Sequence, residues 1–240
     1  MHRLVLAHGF TQTARSWTTI ERLLRDPLAG SATVAVDLPG HGNAPPPADA
    51  DLWASAERLV AEGGTGTYVG YSMGGRVALH AALSHPDAVE RLVLIGATAG
   101  IADPDERARR RADDERLADH IEAVGVPTFI DEWLSNPLFA GLDETTAMRD
   151  DRLRNTTAGL AASLRATGTG TQTPLWDRLG EIERPVLVLV GEHDTKFTEL
   201  GRGLVDALPR AELVVVPGAG HSVHLERPEA TVAAIASWLA

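Results

Sequence analysis

The run Gly70-Tyr71-Ser72-Met73-Gly74-Gly75 places a serine between glycines, directly after an apolar stretch and directly before a helical pattern. A hydroxyl is a poor nucleophile or base unless a neighbouring group takes its proton. A tight strand–turn–helix bend is one way to lift such a hydroxyl clear of a sheet, and its glycines permit the bend. The Met73 amide would then open the helix and point its N–H into the same space. The competing reading is a flexible Gly/Ser turn, and the strand-before, helix-after context argues against it.

A serine of this kind needs a base and a group that orients the base. Gly218-Ala219-Gly220-His221 supplies a histidine after the last apolar run, with His224 as its competitor. Gly191-Glu192-His193-Asp194 supplies carboxylates after the preceding run, with Glu192 and Asp194 both in position. The chain order Ser…Asp…His is one of the known orders of a hydroxyl–imidazole–carboxylate relay. His8-Gly9-Phe10 follows the first apolar run, and His8 itself reads as a loop histidine bonded to backbone. Asp37-Leu38-Pro39-Gly40-His41-Gly42 reads as a turn shaped by its proline and glycines.

Four signals at the ends of apolar runs imply a scaffold that brings such ends together. The runs are Leu4–Ala7, Thr33–Val36, Thr67–Gly70, Arg91–Ile95, Val186–Val190 and Leu213–Val216. Near-continuous Val/Leu/Ile runs suit strands of a parallel sheet covered on both faces. Helical patterns lie between them, at Trp17–Arg25, Leu52–Glu62, Gly74–Leu83, Leu200–Leu208 and Glu229–Leu239. The alternation predicts an α/β, mostly parallel, doubly wound sheet. It stops between residues 100 and 173, where charged helical patterns at Asp105–Glu122 and Thr145–Leu164 replace it. The expected organisation is therefore a core of residues 1–99 and 174–240, with a helical cap of residues 100–173 inserted after the fourth strand. Ligands bind at the carboxyl edge of such sheets, which is where a cap would sit. Pro45-Pro46-Pro47 and Gly168–Pro174 read as loops.

Bulk properties narrow the partners. The 240 residues carry a formal net charge of −11, with 44% hydrophobic and 23% charged residues. So acidic a surface repels nucleic acid and anionic membranes. No cysteine is present, which removes disulfides, thiolate metal sites and cysteine nucleophiles. No G-x-G-x-x-G or G-K-[ST] motif and no paired His ligand spacing is found, so neither cofactor nor metal is expected. The apolar run Leu4–Ala7 is too short for a signal peptide, and no stretch approaches the roughly 18 apolar residues of a membrane span. A cytoplasmic protein, monomeric or homodimeric, is expected.

The serine elbow, the His-Gly-Phe loop, the Asp-Leu-Pro-Gly-His-Gly turn and the terminal Gly-Ala-Gly-His together resemble the α/β-hydrolase superfamily. Segments of the insertion narrow the resemblance. They are Glu106-Arg107-Ala108-Arg109-Arg110-Arg111, Trp133 with Pro137-Leu138-Phe139-Ala140, Arg152-Leu153-Arg154-Asn155, and Gly159–Arg165. With Gly168-Thr169-Gly170 and Asp194-Thr195-Lys196-Phe197, they resemble the 2-succinyl-6-hydroxy-2,4-cyclohexadiene-1-carboxylate synthases (MenH-like) of menaquinone biosynthesis. The resemblance implies a triad of Ser72, Asp194 and His221. It implies oxyanion-hole amides at Phe10 and Met73, and substrate-binding side chains at Tyr71, Arg76, Arg110, Trp133 and Arg152. Helical spacing alone leaves open which of Arg109, Arg110 and Arg111 faces a pocket, since a charge-mixed helix is usually a solvated face.

The family reaction is a carbon–oxygen lyase elimination of pyruvate from 2-succinyl-5-enolpyruvyl-6-hydroxy-3-cyclohexene-1-carboxylate, an anionic small molecule. Two alternatives use the same motifs. One is a serine carboxylesterase or C–C bond hydrolase; the other is a non-catalytic receptor that binds a ligand on this fold.

Overall fold

A computed structural model describes residues 2–46 and 51–240, so Pro47 of the triproline loop lies outside the described residues. Six strands form one sheet: β1 Arg3–Ala7, β2 Ala32–Val36, β3 Gly66–Tyr71, β4 Val89–Ile95, β5 Val186–Gly191 and β6 Ala211–Val216. Their order is β2-β1-β3-β4-β5-β6 and every pairing is parallel. The expectation was a mostly parallel sheet; among the described residues it is wholly parallel.

Parallel strands need crossovers, and the crossovers cover both faces. On one face lie α2 (Leu52–Gly63), α3 (Met73–Ser84) and α7 (Thr195–Ala207), packed on Val5, Tyr68, Leu92, Leu94, Val186 and Val188. On the other lie α1 (Thr18–Leu24), the short α8 (Val223–Glu226) and α9 (Pro228–Leu239), packed on Leu4, Leu6, Val69, Val93, Leu187 and Leu189. Adjacent residues of one strand thus serve opposite cores, as the two-residue strand period requires. That explains why the runs read as continuously apolar rather than alternating.

After β4 the chain leaves the sheet at Ala99 and returns at Leu175, where the Leu175 amide donates to the Ala99 carbonyl at 2.8 Å. The intervening segment holds α4 (Pro104–Leu134), α5 (Arg149–Arg152) and α6 (Thr157–Thr167). Asp103 caps α4 through the Glu106 amide at 2.7 Å, with Pro104 in the first turn. The helix runs past the expected end at Glu122 but kinks at Gly125, whose φ of 76° is open to glycine and costly for other residues. Beyond the kink, Val126, Phe129, Ile130 and Trp133 recur at helical spacing and pack with Ala118, Ile121, Leu160 and Leu164. Arg165 of α6 ties the pair together, reaching Glu115, Asp119 and Glu122 of α4 at 2.6–2.7 Å.

The helix expected over Thr145–Leu164 is instead two. Asn155 interrupts it by donating to the Thr11 and Arg152 carbonyls at 2.6 and 2.9 Å and accepting from the Gly42 amide at 2.9 Å. A side chain bonded to backbone in this way competes with the helix ladder. Thr156 then caps α6 through the Gly159 amide at 3.0 Å.

Candidate active site

Ser72 sits at the bend between β3 and α3 with φ 50° and ψ −107°, left-handed backbone that a non-glycine residue adopts at a cost. The cost is met by close packing around it. A methyl at Gly74 would overlap the Ala7 carbonyl, so only glycine lets α3 start this near β1. Held there, the Ser72 hydroxyl faces His221 Nε2 at 3.3 Å.

His221 Nδ1 lies 2.7 Å from Asp194 Oδ2. A carboxylate can only accept, so Nδ1 carries the proton and Nε2 presents its lone pair to Ser72. Asp194 is fixed in turn: it caps α7 and its other oxygen accepts from the Phe197 amide at 3.2 Å. The rival Glu192 is occupied elsewhere, accepting from the Gly218 amide at 2.8 Å. The rival His224 is fully buried between the rings of Trp17 and Tyr71, 4.7 and 4.4 Å away. Burial pushes its pKa down to about 3, and both ring nitrogens lack partners among the described residues.

Phe10 and Met73, whose amides the resemblance implies as oxyanion donors, line the same space. Met73 begins α3, where an N–H has no intrahelical acceptor. Phe10 lies between two committed amides: Gly9 N–H donates to Gln12 Oε1 at 3.1 Å and Thr11 N–H to His41 Nε2 at 3.2 Å. His8 is a backbone brace, accepting from the Leu38 amide at 2.9 Å and donating to the Gly9 carbonyl at 2.8 Å. Burial lowers the His8 pKa to about 4 and that of His41 well below its ordinary value, so both are neutral props of the loop.

A cavity of about 190 Å³ opens over Ser72 beneath the insertion. Phe10, Tyr71, Ser72, Met73 and His221 line its floor, and Arg76, Arg110, Trp133 and Arg152 line its walls and roof. Asp194 alone of the sequence-derived set stands off the lining, behind His221. Of the three consecutive arginines, Arg110 lines this cavity and Arg109 lines a neighbouring groove.

The arginines differ in state. Arg152 is 1% exposed, donates to the Ala147 carbonyl at 2.8 Å and to the Thr11 hydroxyl, and leaves Nη2 without a partner among the described residues. Arg76 is 7% exposed and donates to the Thr167 carbonyl at 2.6 Å. Neither has a carboxylate in direct contact among the described residues. Burial lowers the pKa of each to about 10, with Arg110 adding to the effect at Arg76. Arg110 is different: it pairs with Asp114 at 2.7 Å and its side chain is 41% exposed. Of the three arginines that the resemblance implies, two are thus buried with no carboxylate in contact among the described residues, and Arg110 is already paired.

Phe197 and Phe139 complete the apolar lining, with ring centroids 4.3 and 6.5 Å from His221. Sequence reading gave neither an individual role. Both lie inside motifs it quoted, one residue past Lys196 and within the Pro137–Ala140 turn. Gln12 was missed entirely, because a glutamine two residues past His-Gly-Phe matches no catalytic pattern.

This elbow, triad geometry and capped parallel sheet define the class. The chain belongs to the alpha/beta hydrolase family, whose model matches residues 4–234. Within it, the chain is similar over nearly its whole length to 2-succinyl-6-hydroxy-2,4-cyclohexadiene-1-carboxylate synthases. It is 32% identical to that of Serratia proteamaculans (strain 568), covering 98% of this chain and 92% of the relative. A Bacillus subtilis (strain 168) relative assigned the same activity is 37% identical, over 94% of this chain and 85% of the relative. The solved structure of MenH from S. aureus superposes with a TM-score of 0.89 at 28% identity, covering 99% of this chain and 93% of that one.

Proposed function

We propose that this enzyme is a carbon–oxygen lyase of menaquinone biosynthesis, eliminating pyruvate from 2-succinyl-5-enolpyruvyl-6-hydroxy-3-cyclohexene-1-carboxylate. The carrying observation is the pair of buried guanidinium groups, Arg76 and Arg152, that line the serine cavity with no carboxylate of the protein's own in contact. A buried unpaired charge costs several kcal/mol (roughly). A tricarboxylate ligand offsets that cost, and guanidinium groups suit carboxylates in geometry. A neutral acyl ester offers no such compensation, which disfavours the esterase reading. A receptor has no use for a base aligned on an orienting carboxylate.

The steps follow from the geometry. The substrate ketone accepts from the Phe10 and Met73 amides, donors each worth about 2.7–4 kcal/mol as charge develops. Ser72 oxygen takes the ring proton beside that ketone while its own proton passes to His221 Nε2. The new electron pair shifts through the ring alkene, breaks the carbon–oxygen bond and expels the enolpyruvyl group. That group takes up one proton to become pyruvate, which restores the neutral imidazole. Asp194 stabilises the transient imidazolium without itself being protonated. Tyr71, Arg76, Arg110, Trp133 and Arg152 hold the substrate. No water and no cofactor enters the balance.

Every group in this scheme comes from one chain, so a monomer or a homodimer serves. No helix among the described residues is long and apolar enough to cross a membrane. The net charge of −11 disfavours nucleic acid as a partner, and the cytoplasm is the expected compartment. The test is to offer the purified protein the enolpyruvyl substrate in ¹⁸O-labelled water. Pyruvate and the diene should form in equal amounts, with no labelled hydroxyl on the ring carbon that lost the enolpyruvyl group. Faster turnover of neutral esters, with label in the acid product, would establish the hydrolase instead.

A further inference from the structure

We infer that Gln12 is a further substrate-binding residue, whose side-chain amide joins Trp133 Nε1 and Arg152 Nη2 in a donor-only recess for one substrate carboxylate. The inference deepens the synthase reading and rests on it.

Gln12 is 1% exposed and lines the catalytic cavity. Its Oε1 accepts from the Gly9 amide at 3.1 Å, and that bond fixes which end of the amide is which. A flipped side chain would set NH₂ against N–H. Nε2 is therefore the remaining end, and it is buried with no partner among the described residues. Two other buried donors of the same lining share that condition, the Trp133 indole N–H and Arg152 Nη2.

The three belong to one neighbourhood. Residues 10–12 are consecutive; Phe10 packs on Trp133 with ring centroids 5.4 Å apart, and the Thr11 hydroxyl accepts from Arg152. Native proteins leave few buried polar atoms unsatisfied, so three in one cavity wall call for an explanation. All three are donors and none is an acceptor. A carboxylate, with about four lone-pair sites and no proton, satisfies such a set; a hydroxyl or an amide ligand would bring its own proton against it. The donors expose almost no area, so the carboxylate seats only as the helix arm carrying Trp133 gives way slightly.

The position of Gln12 also couples recognition to chemistry. Its Oε1 holds the amide immediately before Phe10, a residue that lines the same cavity. A carboxylate drawn to Nε2 is thus held beside the ketone that must be polarised.

The discriminating variant is Gln12→Glu. It keeps an oxygen for the Gly9 amide, so the loop bond survives, and it replaces the remaining donor by a negative acceptor. Binding is read directly by titrating the ¹⁵N-labelled protein with succinate and following the Trp133 indole resonance, assigned through Trp133→Phe. In the wild type the Trp133 indole and Gln12 side-chain amide signals should move together, with one Kd. In Gln12→Glu the Kd from the indole should rise at least about tenfold, as loss of a hydrogen bond to a charged group implies. Resonances that stay still in the wild type, or an indole Kd unchanged in the variant, would overturn the inference. Steady-state pyruvate release supplies the second reading, with KM rising about tenfold or more and kcat changing less. A wild type that binds succinate in this recess yet releases no pyruvate would overturn the synthase reading alone.

Discussion

Arg152, on the short helix α5 of the insertion, donates to the hydroxyl of Thr11, beside the loop that holds the Phe10 amide. The roof of the cavity is thereby tied to the loop after β1 that forms part of its floor. Nε donates to the Ala147 carbonyl, and Nη2 has no partner among the described residues, so two of the guanidinium nitrogens serve position and one is left over.

Replacing Arg152 by Met should therefore act on substrate binding. KM for the tricarboxylate is expected to rise roughly 10- to 100-fold, from the loss of about 1.5–3 kcal/mol of charged hydrogen bonding. Arg110→Met should behave differently, since Arg110 already serves Asp114, which is 3% exposed. Its KM should rise only a few-fold, while unfolding stability drops by about 1–3 kcal/mol as the buried Asp114 loses its partner. Steady-state kinetics and urea denaturation on both variants separate the two roles. Equal KM effects with equal stability would contradict the distinction.

Ser72→Ala should abolish pyruvate release, by roughly 10³-fold or more, with the fold intact. His221→Ala should lose about as much, because groups that move one proton act as a unit. The double variant is expected to be no worse than either single one. Turnover near the wild-type rate in Ser72→Ala would remove the triad from the mechanism.

The two carboxylates after β5 make a paired test. Asp194→Asn should cost roughly 10²- to 10⁴-fold in kcat, since an amide can favour the wrong imidazole tautomer. Glu192→Gln should stay within about twofold, because the Gln oxygen still accepts from the Gly218 amide. A more severe Glu192→Gln would reassign the orienting group.

Stability should fall on the acid side of neutrality. His224 has its pKa depressed to about 3 and His8 to about 4, in both cases chiefly by burial, against an ordinary value of 6.5. Between these values the unfolded chain binds protons that the folded one excludes. Stability is thus complete above about pH 6.5 and is lost as pH falls toward 4. Each such histidine contributes a slope of about 1.4 kcal/mol per pH unit in that window. His224 makes no hydrogen bond through its ring among the described residues, so His224→Phe should lower the slope by about that amount. Urea midpoints at pH 4.5, 5.5 and 6.5 measure it, and an unchanged slope would count against a neutral buried His224.

Much of the architecture is legible because parallel strands and elbow turns leave local marks. Continuous apolar runs marked all six strands, and the order Ser72, Asp194, His221 pointed to three side chains that the fold brings within hydrogen-bond reach. The insertion was harder, since its segments are shaped by contacts far along the chain. Asn155 breaks a helix in order to reach Thr11 and Gly42, some 113 to 144 positions away, and nothing near Asn155 announces it. The second arm of α4 did carry a signal, the spacing of Val126, Phe129, Ile130 and Trp133, but Gly125 and Pro127 masked it. The Arg110–Asp114 pair was legible, since four-residue spacing puts both on one helix face; that Arg76 and Arg152 are buried without a contacting carboxylate among the described residues was not, because it depends on packing that no spacing encodes.

The Leu175–Ala99 hydrogen bond makes the insertion a loop hung from a single stalk. Its two ends meet whether the loop is long or short, and lengthening a flexible loop costs only about 0.6 kcal/mol per doubling. A foreign roof could be transplanted onto the same stalk, provided it met Thr11 and Gly42 as Arg152 and Asn155 now do. Recognition is therefore split in this molecule, with Arg110, Trp133 and Arg152 in the roof and Gln12, Tyr71 and Arg76 in the core. A new roof would change the half of the lining it supplies, while the serine and the core arginine below stay in place.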